Sequence, residues 1–163
     1  MIEINEGDLR QEYVNEGIAL GLSKEDAEKW SQLLWPRIET GNEKGGELEF
    51  RVTSSPLANW TSCCAGGDTN IQFHTGRRAI TQSAVLINIC CAVVCRFAGG
   101  ALLGISPDVT FEAGLRVNET AILYASRYDW GPKERRTLLR GELSNGDTLF
   151  TERIITTRTP RSK

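Results

Sequence analysis

Residues 84–105 run AVLINICCAVVCRFAGGALLGI, from Ala84 to Ile105. The chain takes one architecture if this run is a helix and another if it is a buried strand or a membrane span. Ile80, Ala84, Ile87, Cys91, Val94, Cys95 and Ala98 recur at the spacing of one helical face, and the flanking Val85, Leu86, Ile89, Cys90 and Val93 are apolar as well. That pattern belongs to a helix covered on nearly every side. Its β-branched residues would also suit a buried strand. The run is too long for an ordinary strand, however, and Ala84, Ala92 and Ala98 let neighbours approach closely, so a helix from Ile80 to Phe97 is predicted. Asn88 and Arg96 interrupt the apolar surface and a Gly-Gly pair follows. The polar cost weighs against insertion in a bilayer, and no membrane association is expected.

Downstream, VTFEAGLRV (Val109 to Val117) alternates without a fault, with Val109, Phe111, Ala113, Leu115 and Val117 inward, and is predicted to be a strand. NETAILYASRYDW (Asn118 to Trp130) and ERRTLLRGEL (Glu134 to Leu143) are two further strand candidates. SNGD (Ser144 to Asp147) signals a hairpin, because Asn-Gly readily adopts positive backbone angles, and TLFTERIITTR (Thr148 to Arg158) supplies the last strand. Four consecutive strands after one buried helix make an antiparallel sheet with helical cover on one side, an α+β fold.

Upstream, ELEFRV (Glu47 to Val52) places Leu48, Phe50 and Val52 on one face of a half-exposed strand. TGNEKGG (Thr40 to Gly46) has the composition of a linker. Residues 8–22 have a helical pattern weakened by Gly7, Gly17 and Gly21. A clearer helix follows in SKEDAEKWSQLLWPRIE (Ser23 to Glu39): Ser23 and Asp26 form a cap, Ala27, Trp30, Leu33 and Leu34 form the stripe, and Pro36 is the break. Its two tryptophans, Trp30 and Trp35, suit core packing first and a partner contact second. Residues 53–67 show no strong period and are expected to be loop or short helix, with Trp60 pinning them to the core.

A chain of 163 residues fits one domain, divided here into a helical N-terminal extension over 1–45 and a core over 46–158. A net charge of −2 gives no strong field for polyanions, so no nucleic-acid partner is expected. Basic residues gather from Arg127 onward and are expected to lie on solvated strand faces. The five cysteines, Cys63, Cys64, Cys90, Cys91 and Cys95, are odd in number, lack zinc-site spacing and follow no apparent secretory leader. Free thiols in a cytoplasmic setting, acting as small core residues with no metal site, are the expectation.

The stretch GGDTNIQFHTG, Gly66 to Gly76, holds the only histidine of the chain, with Asp68 six residues ahead of it. A lone histidine near a turn is more often a hydrogen-bonding residue than a catalyst, and Asp-Thr-Asn is ordinary turn chemistry. Phosphate-loop, dinucleotide and serine-elbow signatures are absent.

The element order resembles the hot-dog fold, in which an antiparallel sheet curls around a central hydrophobic helix. Within that fold the region from Gly67 is similar to the MaoC-like hydratases and dehydratases, whose pattern is G-D-x-N-P-x-H. Gly67, Asp68, Thr69 and Asn70 match its opening, the proline is missing, and His74 arrives one residue late. In an extended segment one extra residue turns a side chain to the other face. The resemblance implies an enoyl or 3-hydroxyacyl thioester as substrate, carried on coenzyme A or an acyl carrier protein, with no other cofactor. Asp68 and His74 would then share the acid/base work, with Asn70 orienting them. Gly67, Thr75, Gly76, Arg77 and Arg78 would bind substrate, the residues around Thr75 to Ala79 through N–H groups at the helix start. It also implies a homodimer or higher homo-oligomer. Two alternatives stand beside it: an acyl thioesterase, a branch of the fold that commonly carries an acid on the central helix, which this chain lacks between Arg77 and Gly104, and a non-catalytic binding or assembly protein.

Overall fold

The structure, a computed structural model, describes residues 6–19, 22–31, 37–54, 59, 62–63, 73–74, 79–99, 103–106, 109–117 and 119–158. In chain order the elements are helices α1 (Glu6–Ala19) and α2 (Lys24–Ser31), strands β1 (Arg37–Lys44) and β2 (Glu47–Thr53), helix α3 (Ser83–Ala98), and strands β3 (Leu103–Ser106), β4 (Thr120–Trp130), β5 (Glu134–Leu143) and β6 (Thr148–Arg158). They divide into two units: Met1–Arg37, Thr53–Val85 and Leu115–Glu119 form the first, and Ile38–Val52, Leu86–Gly114 and Thr120–Lys163 the second.

The second unit contains a six-stranded sheet in the order β1-β2-β4-β5-β6-β3. The pairs β4/β5, β5/β6 and β3/β6 are antiparallel. Burial alternates along the strands as the pleat requires: Phe50 and Val52 of β2, Ala121, Leu123 and Ala125 of β4, Thr137 and Leu139 of β5, and Ile155 and Thr157 of β6 are all buried. Gly141 of β5 faces the same layer. A Cβ there would lie 2.5 Å from the Phe150 ring and 2.9 Å from Leu123, so the missing side chain is the space that Phe150 fills. Phe150 also meets Phe111 edge-on, with ring centroids 5.8 Å apart.

Helix α3 packs against this antiparallel sheet through Leu86, Ile89, Cys90, Val93, Val94 and Ala98, all buried. At its C-terminal end Phe97 meets Trp130 edge-on at 5.4 Å, the Arg135 guanidinium donates to the Ala98 carbonyl, and Gly99 takes the left-handed angle (φ 76°) common just past a helix. A cation on the last carbonyls also complements the helix dipole.

Several sequence expectations meet corrections here. The sheet is not strongly curled around the helix. Six strands at about 4.8 Å spacing are roughly twice as wide as one helix, so a single helix covers only a strip of the sheet. The helix is also not enclosed on every side. Most of the buried residues are those that flank the periodic stripe: within the stripe only Val94 and Ala98 of the helix are buried, whereas Ala84 is exposed and Ile87, Cys91 and Cys95 are half-buried, with Asn88 and Arg96 exposed beside them. In a helix apolar all round no contrast marks the inner face.

The linker expected at Thr40 to Gly46 is instead the end of β1 and a tight hairpin into β2. Gly45 and Gly46 have φ of 61° and 81°, the pair of positive angles that a two-residue turn matched to strand twist demands. The strand expected over Val109 to Val117 is an extended segment without a ladder of its own. Its inward and outward residues alternate as predicted, yet its backbone bonds are split: Glu112 N–H donates to the Leu149 carbonyl in the second unit, and residues 115–117 pair with residues 79–81 in the first.

β5 and β6 begin and end at the predicted residues, β4 begins two residues later than predicted, and Gly146 supplies the positive angle (φ 90°) in the hairpin between β5 and β6. In the first unit Ser23 Oγ accepts the Asp26 N–H at 3.0 Å, as the cap predicts, and Ala27 is buried. Leu33, Leu34, Trp35, Pro36 and Trp60 lie outside the described residues. No described helix is long and apolar enough to cross a membrane.

Candidate functional site

The start of α3 is built by three short segments of the first unit. Residues 79–81 run extended beside residues 115–117: Thr81 N–H donates to the Leu115 carbonyl at 2.7 Å, Val117 N–H to the Ala79 carbonyl at 2.9 Å, and Ile80 bridges Arg116. These bonds commit the backbone to an extended form through Thr81, which is why the helix begins at Ser83 and not at Ile80. The N–H groups of the helix's own first turn, which have no partner within a helix, are those of Ser83 and Ala84; the donors expected at residues 75–78 lie outside the described residues.

Asn59 joins the segments. It is fully buried, its Nδ2 donates to the His74 carbonyl at 2.6 Å and to the Ile80 carbonyl at 3.3 Å, and its Oδ1 accepts the Gln82 N–H at 2.6 Å. Ser62 Oγ donates to Gln82 Oε1 at 2.5 Å, and Phe73 accepts the Ile80 N–H at 2.9 Å through its carbonyl. Cys63 is buried beside this network in sequence.

His74 is half-buried, and its Nδ1 lies 2.7 Å from the Ile80 carbonyl oxygen. A carbonyl only accepts, so Nδ1 carries the proton and Nε2 is the basic nitrogen of the neutral ring. The imidazole is thus anchored three residues ahead of the helix, in the tautomer that a general base needs.

Of the site residues picked out in the sequence, His74 is placed here. Gly67, Asp68, Asn70, Thr75, Gly76, Arg77 and Arg78 lie outside the described residues. Asn59, Ser62 and Gln82 were not singled out as site residues. Gln82 falls inside the stretch predicted as helix from Ile80, and Asn59 and Ser62 sit in an aperiodic stretch where asparagine and serine are commonplace.

The Cys90 and Cys91 thiols are poorly suited to nucleophilic work. Burial first, then the neighbouring Cys91, pushes the Cys90 thiol up to about 12, and burial followed by the adjacent Cys95 raises Cys91 as well. Cys63, Cys90, Cys91 and Cys95 take part in no disulfide among the described residues. No three His, Cys, Asp or Glu side chains among the described residues come together as a metal-binding group.

No protein-family model matches the sequence, and no curated protein matches it. Solved structures do. An (R)-hydratase from A. caviae involved in PHA biosynthesis aligns with 74% of this chain and 98% of its own, at 14% identity and a TM-score of 0.57. A hypothetical thioesterase with coenzyme A from Streptococcus pneumoniae covers 78% of this chain and 89% of its own, at 8% identity and a TM-score of 0.51. Thioesterase superfamily member 2 from Mus musculus covers 96% of this chain and 98% of its own, at 8% identity and a TM-score of 0.52. At these identities the likeness is one of fold, the hot-dog fold that hydratases and thioesterases share.

Proposed function

We propose that the protein hydrolyses an acyl thioester, with His74 as the general base. The observation that carries this reading is the bond from His74 Nδ1 to the Ile80 carbonyl, which commits that nitrogen as the donor and makes Nε2 the basic nitrogen of the neutral ring. In the step so envisaged, water attacks the thioester carbonyl carbon while Nε2 removes its proton. The tetrahedral oxyanion is met by the N–H groups of Ser83 and Ala84 at the positive end of α3. The C–S bond then breaks, and the imidazolium returns its proton to the departing thiolate, giving a carboxylic acid and a free thiol. A well-placed base is worth roughly 10²- to 10⁴-fold in rate and one oxyanion donor about 10²- to 10³-fold.

Support for the substrate class comes from the fold shared with proteins named as thioesterases, one of them holding coenzyme A. The missing acid on the central helix is no obstacle to a histidine base, and the acyl carrier is coenzyme A or a carrier protein. A homodimer, in which the half-exposed apolar side of α3 is covered by a second copy, and a cytoplasmic setting for the free thiols belong to the same proposal.

The second reading is hydration of an enoyl thioester by Asp68 and His74 with Asn70. The Gly67-Asp68-Thr69-Asn70 run and the likeness to the A. caviae hydratase favour it. Incubation with acyl-coenzyme A and with trans-2-enoyl-coenzyme A separates the two. Thiol release from the saturated thioester is the outcome expected, and hydration of the enoyl substrate without thiol release would replace hydrolysis by the second reading. Saturable binding with neither product would leave a non-catalytic acyl-thioester binder.

A further inference from the structure

His74 acts as a base through Nε2 only while Nδ1 keeps its proton, and Nδ1 keeps it by donating to a carbonyl that another residue holds in place. Asn59 stands fifteen residues ahead of His74, with 0% of its surface exposed. Its carboxamide cannot be turned round. Both groups on its nitrogen side, the carbonyls of His74 and Ile80, only accept hydrogen bonds, and the group on its oxygen side, the Gln82 N–H, only donates. One buried amide thus fixes three things together: the backbone that carries the imidazole, the carbonyl that the ring addresses, and the lead-in to α3.

We propose that Asn59 is a positioning residue for His74, selecting the Nδ1–H tautomer by holding the Ile80 carbonyl against the ring while it anchors the histidine's own backbone. The inference deepens the reading of His74 as the base and rests on that reading only where turnover is concerned, because the tautomer is observable without substrate. Ser62 provides the internal comparison. It bonds the Gln82 side chain, in the same lead-in, but touches neither the Ile80 carbonyl nor the His74 backbone through any described bond.

The test is nitrogen NMR of the imidazole in the 163-residue chain, where a single histidine gives one ring's signals. Spectra of the native chain, Asn59→Ala, Asn59→Ser and Ser62→Ala are compared. The native ring is expected to show a protonated Nδ1 and an unprotonated Nε2, and Ser62→Ala to keep that pattern. In the Asn59 variants the Nδ1–H form should lose its majority, and thioester turnover should fall about tenfold or more in kcat with KM changed less than about twofold.

The serine variant retains one donor and one acceptor, and decides the matter if the alanine variant fails to fold. Loss of the native spectrum in both Asn59 variants would make Asn59 a staple of the fold and overturn the positioning role. So would an unchanged ring pattern in either folded variant, or an equal shift in Ser62→Ala. A native ring protonated at Nε2 would overturn this inference and the base together. The expected ring pattern and its response to Asn59, found in a protein with no thioester turnover, would leave the tautomer control standing and remove only the proposed reaction.

Discussion

The proton on Nδ1 of His74 decides what that residue can do, because one imidazole nitrogen is a base only while the other is committed as a donor. The Ile80 carbonyl makes that commitment at 2.7 Å. The histidine itself was visible in the sequence as the only one in the chain, but its orientation depends on a residue fifteen positions earlier and a carbonyl six positions later, contacts that no local pattern encodes. Cysteine was legible as a core residue at Cys63 and Cys90, both buried, and less so at Cys91 and Cys95 on the half-open side of α3. Asp68 distinguishes the two chemical readings. For hydrolysis with His74 as the base, Asp68→Asn should lower thiol release by less than about tenfold, whereas an acid/base role shared with His74 requires a loss of about 10² or more, measured as initial rates. Alkylating the accessible thiols should leave turnover within about twofold, since the proposed step uses a histidine base and no thiol, and Cys90 is too buried to react.

Elements were legible where burial on one side imposed a period and obscure where it did not. β5 and β6 alternate between a buried and a more open face, and their limits could be read directly. α3 could be recognised as a helix, yet its inner face could not, because both sides are apolar. β1 is mostly exposed and charged, so its strand character was hidden, although the Gly45-Gly46 pair was a hairpin signal that could have revealed it. The Val109 to Val117 segment shows that alternation reports extended backbone and not membership of a ladder. Where the layers meet, Gly141 is the sensitive position. Gly141→Ala should destabilise the fold by about 1–3 kcal/mol in denaturant titration, because the new methyl would meet the Phe150 ring and Leu123. Gly46→Ala should cost about 1 kcal/mol through backbone angle alone, since nothing lies within 4 Å of the added atom.

Across the molecule, the order of one strand, a hydrophobic helix and antiparallel strands carried the fold but not the degree of curl, and one helix covers only a strip of the six-stranded sheet. The outer face of the sheet is tied by Arg140, which donates two bonds to Glu47 at 2.9 and 3.0 Å and one to Glu142 at 2.6 Å, and lies 3.8 Å over the Tyr124 ring. The Arg140 hydrogen bond holds the Glu47 carboxyl below its ordinary value of 4.5. Because the folded value lies below the unfolded one, the stabilisation is complete above about pH 4.5 and is lost as pH falls through the folded value. Both side chains are about a third exposed, so Glu47→Gln should cost only about 1 kcal/mol at neutral pH, and the cost should shrink as pH falls through the folded value in parallel denaturation curves. A cost that grows on acidification would contradict that assignment. The whole account rests most directly on thiol release from acyl-coenzyme A by the native protein and by His74→Gln, a side chain that can still hydrogen bond but cannot take up the proton. The native chain should release thiol, and the variant should do so at least about 100-fold more slowly while remaining folded. Equal rates in the two proteins would contradict the role given to His74.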